Sequence, residues 1–301
     1  MRKNKYLFVA GMLLAILLVS TGLTACYVRL SGEQQKTKEI TVVTSFYPVY
    51  IAAMNVVGDT GDVQLENLSE PQTGCLHDFQ LTPEDMKLLG TADVFIINGG
   101  GIESFMQDVA SACPDLTIVN ACEYTEMLSD GEEVNAHAWL SVSCYREMVQ
   151  AIAAGLKEAD SAHSALYEKN AAVYDGKLEK LQERQKEAAR NLAGKNVILF
   201  HEAYDYVAAD YGMNVSYALD LDEERPVSAG EVSDVLSAVR DDGAKLILAE
   251  ELYGKKLAET IQNELDITVI YLDPLNRGDY SKDSYLKGME KNITLLLEQT
   301  A

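Results

Sequence analysis

The hydrophobic and polar positions of this 301-residue chain alternate between two patterns. Short runs rich in β-branched residues predict buried strands, and segments with apolar residues every three or four positions predict amphipathic helices. The predicted strands are residues 40–44, 63–67, 94–98, 117–119, 196–200, 245–249 and 268–271. Predicted helices separate most of these strands, so the pattern indicates an α/β fold with mostly parallel sheets.

One predicted helix is much longer than the others. Residues 164–192 contain no proline and place their larger or less polar side chains three and four positions apart. These side chains are Tyr167, Ala171, Tyr174, Leu178, Leu181, Ala188 and Leu192, with Gln185 at the remaining position. Because strands and helices alternate on both sides, the sequence predicts two lobes, residues 40–163 and 193–301, joined by this spine helix.

The N-terminal residues have the layout of an export signal. Basic residues precede an apolar run that reaches Val19, and small residues follow it. The sequence Leu23-Thr24-Ala25-Cys26 resembles the bacterial lipobox, which predicts a lipoprotein signal peptide at residues 1–25, lipidation of Cys26 and a tether at residues 26–39. An uncleaved membrane anchor is the alternative. We therefore expect a lipid-anchored protein on the outer face of the bacterial cell membrane, or a periplasmic one.

Charge and cysteine content narrow the class of function. The formal net charge is -22, and such a surface repels phosphate backbones, so nucleic-acid binding is not expected. Four cysteines follow the predicted signal, Cys75, Cys113, Cys122 and Cys144, and three disulfide connectivities are open to them. No Cys-x-x-Cys pair is present, so the sequence does not indicate a thiolate zinc site of the usual spacing.

Three of the four histidines stand where a doubly wound sheet binds ligands. His77, His137 and His201 lie in predicted loops or at the end of a strand, whereas the fourth lies on a helix. Imidazole is a common nitrogen ligand of zinc, and three imidazoles leave room for one carboxylate or a water. Each histidine alone is more simply explained as structural. Together, at corresponding positions of two lobes, they indicate a metal site.

Several segments around these histidines resemble the motifs of one family. These are residues 76–85 with the glycine turn at 99–103, His137-Ala138-Trp139-Leu140, His201-Glu202-Ala203-Tyr204 and Leu272-Asp273-Pro274-Leu275. They resemble, in this order, the metal motifs of the zinc- and manganese-binding subunits of bacterial ABC importers, the ZnuA/TroA-like group. The similarity extends over residues 40–297.

The resemblance implies a substrate-binding protein rather than an enzyme. It implies that Zn²⁺ is the transported ligand, bound in the cleft between the lobes, and that a monomer delivers it to an ABC permease with its cytoplasmic ATPase. The implied metal ligands are His77, His137, His201 and Asp273, and Asp279, Glu202, Glu250 or water are the alternatives for the fourth position. Manganese binders of the family tend to have a carboxylate where this chain has His201, which favours zinc.

Departures from the family pattern leave other functions open. Asn135 stands where an aspartate is common, and the acidic segment 123–133 has no histidine. A manganese- or iron-binding member of the same family is the nearest alternative. A zinc hydrolase would need a general base and an open coordination position, and His-Glu-x-x-His is missing. A zinc-dependent surface adhesin is the third alternative.

Overall fold

Parallel strands and helices alternate along the chain in the computed structural model, which describes residues 39–70, 79–131, 133–219, 221 and 227–298. The predicted signal peptide, Cys26, Cys75 and His77 lie outside these residues. Within the described ranges, no helix is both long enough and apolar enough to cross a membrane.

The first sheet contains four parallel strands in the order β2-β1-β3-β4. The strands are β1 (Ile40–Thr44), β2 (Val63–Asn67), β3 (Val94–Ile97) and β4 (Thr117–Asn120). The helices of this half are α1 (Tyr47–Val57), α2 (Pro83–Leu89), α3 (Met106–Ala112) and α4 (Val142–Ala159). A short antiparallel hairpin of β5 (Ser129–Asp130) and β6 (Glu133–Val134) precedes α4.

The second sheet follows the long helix α5 (Ser164–Ala189) and has the order β10-β9-β7-β8, again all parallel. Its strands are β7 (Asn196–Leu199), β8 (Asn214–Ala218), β9 (Leu246–Ala249) and β10 (Thr268–Tyr271). The accompanying helices are α6 (Asp205–Asp210), α7 (Ala229–Arg240), α8 (Lys255–Glu264) and α9 (Ser284–Glu298). The predicted fold class, two mostly parallel sheets with flanking helices and one long helix between them, is confirmed.

Helix α5 buries one stripe along its 26 residues. The buried positions are Tyr167, Ala171, Tyr174, Leu178, Leu181, Gln185 and Ala188, which is the register predicted from the sequence. The helix ends at Ala189, three residues before the predicted end. The amide of Leu192 bonds to the carbonyl of Ala189 at 3.0 Å, so the last residues continue as tighter turns. Gly194, at a φ of 76°, then reverses the chain.

The hydrophobic core is shared by both sheets. Successive residues of a strand point to opposite faces, so Val42 faces a central cluster and Val43 an outer one. In the second sheet, Val197 and Leu199 join the same central cluster, whereas Ile198 joins a separate outer cluster. The stripe of α5 lies in the central cluster as well. The two halves are therefore held by continuous apolar packing through the long helix.

Gln185, the polar residue in the stripe of α5, has a half-buried partner, Asp210. Its Nε2 donates to Asp210 Oδ2 at 2.9 Å, and Ser141 Oγ donates to Asp210 Oδ1 at 3.1 Å. Asp210 ends α6, and Ser141 caps the start of α4. One carboxylate thus joins the long helix to an element from each side of it.

Burial raises the pKa of Asp210 above its ordinary value, against the two side-chain hydrogen bonds, which lower it. The folded protein therefore holds this proton more tightly than the unfolded chain does. Above the ordinary aspartate pKa of about 3.9, stability should fall as pH rises toward the folded-state pKa, because the folded state binds more protons in that window.

We expect Asp210→Asn to remove this part of the pH dependence. As pH rises from 4 to 7, the free energy of unfolding of the variant should therefore increase relative to that of the wild type. Urea denaturation of metal-free protein at several pH values measures the effect. Asp241→Asn, at an exposed position just beyond α7, is the control for a general charge effect. Identical pH profiles for wild type and Asp210→Asn would contradict the assignment.

Candidate metal centre

His137 lies in the turn between the β5–β6 hairpin and α4, directly before the short 3-10 helix Ala138–Leu140. Its side chain is fully buried, and its ring centre is 5.0 Å from that of Trp139. The preceding carbonyl, of Ala136, accepts a hydrogen bond from Asn98 Nδ2 at 2.9 Å. Asn98 follows β3, so the carboxyl end of the first sheet fixes the position of this turn.

Asn135 fixes the orientation of the His137 ring. Its Oδ1 accepts from the backbone amide of His137 at 3.1 Å and lies 2.9 Å from His137 Nδ1. Its Nδ2 donates to the carbonyl of Glu202 at 2.9 Å, which identifies the other amide atom as the oxygen. Because an amide oxygen only accepts, the ring proton is on Nδ1, and Nε2 carries the lone pair that can bind a metal.

His201 comes from the other half of the chain. It follows β7 by two positions and is 1% exposed. Its ring centre is 5.0 Å from that of His137, and the two ring planes are at 81°. Two imidazoles separated by 64 positions in the sequence thus meet at the carboxyl end of the second sheet. This is the edge where ligands bind in doubly wound folds.

Two glutamates are the acids that the structure places beside these rings. Glu202 Oε1 is 3.5 Å from His137 Nδ1, and its side chain is 40% exposed. Glu250 directly follows β9, is 5% exposed, and has Oε2 at 3.8 Å from His201 Nδ1. Both carboxylates lie nearest the Nδ1 atom of an imidazole, at distances of ion pairs and not of normal hydrogen bonds.

Asp273 is held within its own loop. Its Oδ1 accepts from the amide of Leu275 at 2.9 Å, and its backbone amide and carbonyl both bond to the side chain of Asn292 in α9. Asp279 uses its carbonyl to accept from Tyr47 Oη at 2.7 Å. In the part of the chain that the structure describes, no three His, Cys, Asp or Glu side chains form a group that could hold a metal. His77 is outside that part, so the complete predicted ligand set stays a prediction.

A groove of about 680 Å³ lies next to the histidine pair, between the hairpin and the second half of the chain. Asn135 and Glu202, which both contact His137, are among its lining residues. Glu133 and Asp205 add two more acids. Together with Glu202, these acids give the groove a negative charge, which attracts positive ions.

Of the four cysteines after the predicted signal, the three that the structure describes, Cys113, Cys122 and Cys144, are free thiols. Burial raises the pKa of Cys122 to about 12. A thiol of this kind is protonated near neutral pH, and the protonated form is a poor metal ligand. Cys75 lies outside the described residues.

The arrangement contains contacts that sequence reasoning did not identify. In the sequence, Asn135 is only a departure from the family pattern, and nothing there predicts its bond to His137. Arg277, whose Nη2 is 3.2 Å from Glu250 Oε1, was not considered at all. The position of Asn135 two residues before a candidate ligand was an available signal. No signal along the chain connects Arg277 to Glu250.

Two parallel sheets with flanking helices, joined by a long helix, define an α/β protein, and the structure brings together two buried histidines from opposite sides of that helix. The family model described as the periplasmic component A of a zinc-uptake complex matches residues 42–299, and the chain belongs to this family. It is a family of substrate-binding transport proteins.

The relatives of this chain are named for different metals. The chain is 27% identical over 271 residues to the high-affinity zinc uptake system protein ZnuA of Bacillus subtilis strain 168, a match that covers 84% of this chain and 83% of that protein. It is 23% identical over 301 residues to the manganese-binding lipoprotein MntA of Halalkalibacterium halodurans, with 97% of each chain covered. Longer zinc-binding proteins of streptococci match as well, and the chain spans 55% to 58% of their length.

Solved structures share the fold. The SBP FpvC of P. aeruginosa in complex with Ni²⁺ superposes with a TM-score of 0.78 at 25% sequence identity, covering 87% of this chain and 97% of that one.

Proposed function

We propose that this chain captures Zn²⁺ between its two lobes and delivers it to an ABC permease with its cytoplasmic ATPase. The observation that supports this most strongly is the pair of buried imidazoles, 5.0 Å apart, that come from opposite sides of the long helix. His137 has an acceptor on its Nδ1 side, Asn135 Oδ1 at 2.9 Å. This ring is therefore arranged to bind through Nε2.

The proposed ligands are His77, His137, His201 and Asp273. Three neutral imidazoles and one carboxylate suit the tetrahedral coordination of zinc. Since Asp273 Oδ1 already accepts from the amide of Leu275, binding through this residue would use Oδ2 or break that bond. Water, Asp279, Glu202 and Glu250 are the alternatives for the fourth position.

Manganese is the second candidate metal. A relative named as manganese-binding aligns with 97% of the chain, so family membership alone does not decide between the metals. The donor set does favour one of them, because imidazole nitrogen suits zinc and carboxylate oxygen suits manganese.

The proposed setting is the outer face of the cell membrane. The family is described as periplasmic, and some relatives are named as lipoproteins. We propose that Cys26 carries the lipid, that residues 26–39 form the tether, and that the protein acts as a monomer. Loss of membrane association in a Cys26→Ala variant would support the anchor, and unchanged membrane association would contradict it.

Metal analysis together with competition tests the proposed function. Protein purified without added metal should contain close to one zinc per chain. When Zn²⁺, Mn²⁺ and Fe²⁺ are offered together at equal concentration, zinc should be retained. Retention of manganese or iron in the presence of equal zinc would overturn the choice of metal, and binding of none of the three would overturn the function.

A further inference from the structure

The hairpin before His137 is bonded to the second half of the chain through one tyrosine. Tyr206 is the second residue of α6 and is 2% exposed. Its Oη donates to the carbonyl of Asn135 at 2.7 Å and accepts from the backbone amide of Leu128 at 3.0 Å. Leu128 and Asn135 flank the β5–β6 hairpin, so a single hydroxyl bridges its two ends.

Asn135 extends this connection toward both histidines. Its backbone amide donates to the carbonyl of Leu128 at 2.9 Å, which closes the hairpin. Its Oδ1 accepts from the amide of His137 at 3.1 Å, and its Nδ2 donates to the carbonyl of Glu202 at 2.9 Å. The amide, the carbonyl and the side chain of Asn135 are therefore all bonded. Because His137 is only two positions further along, its place depends on how Asn135 is held.

Tyr206 belongs to a helical segment that begins directly after His201. The 3-10 helix Glu202–Tyr204 runs into α6 without a break. The amide of Tyr204 donates to the carbonyl of His201 at 3.1 Å, so the first bond of this segment starts at the histidine itself. Tyr206 therefore joins the segment that follows His201 to the hairpin that precedes His137.

The bonds of Tyr206 involve no atom of either imidazole, so they do not depend on a bound metal. A site whose ligands come from two halves is competent only in molecules where both halves are correctly placed. Its apparent affinity falls in proportion to that fraction. Removing the Tyr206 hydroxyl takes away the partner of one carbonyl and one amide, which destabilises this arrangement.

We propose that Tyr206 is a positioning residue for the metal: its hydroxyl holds the His137 turn against the His201 segment in the metal-free protein, so that the histidine pair is formed before zinc arrives. The proposal rests on the proposed function of this pair. Tyr206 acts through Asn135 and is not itself a ligand.

Tyr206→Phe tests the proposal, because it removes the hydroxyl and keeps the buried ring. We expect the zinc dissociation constant of the variant to rise about 10-fold, measured by competition against a fluorescent chelator. This is the lower end of the effects that partners of metal ligands produce, since Tyr206 acts through a second residue.

Tyr167→Phe is the matched control. Tyr167 of α5 is fully buried, and its Oη donates to Asp160 Oδ2 at 2.7 Å. Hydrogen bonds to charged groups are the stronger ones, so this variant should lose at least as much stability in urea as Tyr206→Phe does. Its zinc dissociation constant should nevertheless equal that of the wild type. The comparison therefore separates positioning of the metal site from a general loss of stability.

Amide hydrogen exchange of the metal-free protein gives a second readout that requires no metal. In Tyr206→Phe, the amides of Leu128 and Asn135 should exchange faster than in the wild type, because the hairpin opens more often. In Tyr167→Phe, these two amides should exchange at the wild-type rate.

Three results would overturn the proposal: an unchanged zinc dissociation constant in Tyr206→Phe, an equal rise in Tyr167→Phe, or unchanged exchange of the hairpin amides in Tyr206→Phe. Failure of the proposed function is a different outcome, in which the wild-type protein itself binds no zinc. A wild type that binds zinc together with a Tyr206→Phe variant of equal affinity would leave the function standing and remove only the role of Tyr206.

Discussion

Replacing His201 by alanine is expected to weaken zinc binding by about 100-fold or more. A four-ligand zinc site is worth roughly 10–16 kcal/mol in total, so one ligand accounts for about 3 kcal/mol. The effect can be read from thermal or chemical unfolding with and without zinc. At a free zinc concentration of about 100 times the wild-type dissociation constant, the wild type gains about 2.7 kcal/mol of stability and the variant about 0.4 kcal/mol.

His163→Ala is the matched control for this measurement. His163 precedes α5 and is bonded through Nδ1 to Asp160 at 2.6 Å, in a different part of the structure from the histidine pair. Its replacement should leave the zinc-dependent gain in stability intact. Zinc bound undiminished by His201→Ala, or lost equally in His163→Ala, would show that the metal is held elsewhere.

Replacing Trp139 by alanine is expected to cost about 3–5 kcal/mol of unfolding free energy, the usual range for a fully buried aromatic residue. The Trp139 ring packs edge-on against Phe46 at 5.0 Å, and its Nε1 donates to the carbonyl of Pro274 at 2.8 Å. Its own carbonyl accepts from Tyr285 Oη at 2.8 Å. The residue thus joins the first half of the chain to the loop after β10 and to α9.

Trp139→Phe separates packing from hydrogen bonding. It keeps most of the buried ring but leaves the carbonyl of Pro274 without this donor, at a cost of about 1–3 kcal/mol. Val173→Ala, at a position of α5 that is 60% exposed, should change stability by no more than about 0.5 kcal/mol. Urea denaturation of metal-free protein gives all three values. A Trp139→Ala cost similar to that of Val173→Ala would contradict the role of Trp139.

Much of the fold could be predicted because its elements have strong periodic patterns. The stripe of α5 was correct to the residue, including Gln185, since one buried face repeated over 26 residues leaves little freedom in the register. Strand β8 (Asn214–Ala218) was not predicted. It lies at the edge of its sheet, is mostly exposed or half-buried, and shifts register against β7 between Val197 and Ile198, so its pattern is weak.

The candidate site was predicted only in part. The sequence predicted that His137 and His201 lie in a loop or at the end of a strand. It also indicated that such positions can come together, because the carboxyl ends of parallel strands meet at one edge of a sheet. The orientation of each ring depends on contacts that no periodicity encodes. Asn135 bonds to a carbonyl 67 positions away, and Glu250 pairs with an arginine 27 positions away. Which acid completes the coordination of the metal depends on such contacts as well.

Anomalous diffraction at the zinc absorption edge, from crystals of the zinc-loaded protein, tests the proposed metal site most directly. We expect one strong peak about 2.0–2.1 Å from Nε2 of both His137 and His201, the usual zinc–imidazole distance. A zinc peak bound to other residues, or no peak between these two rings, would contradict the proposal that this histidine pair captures the transported metal.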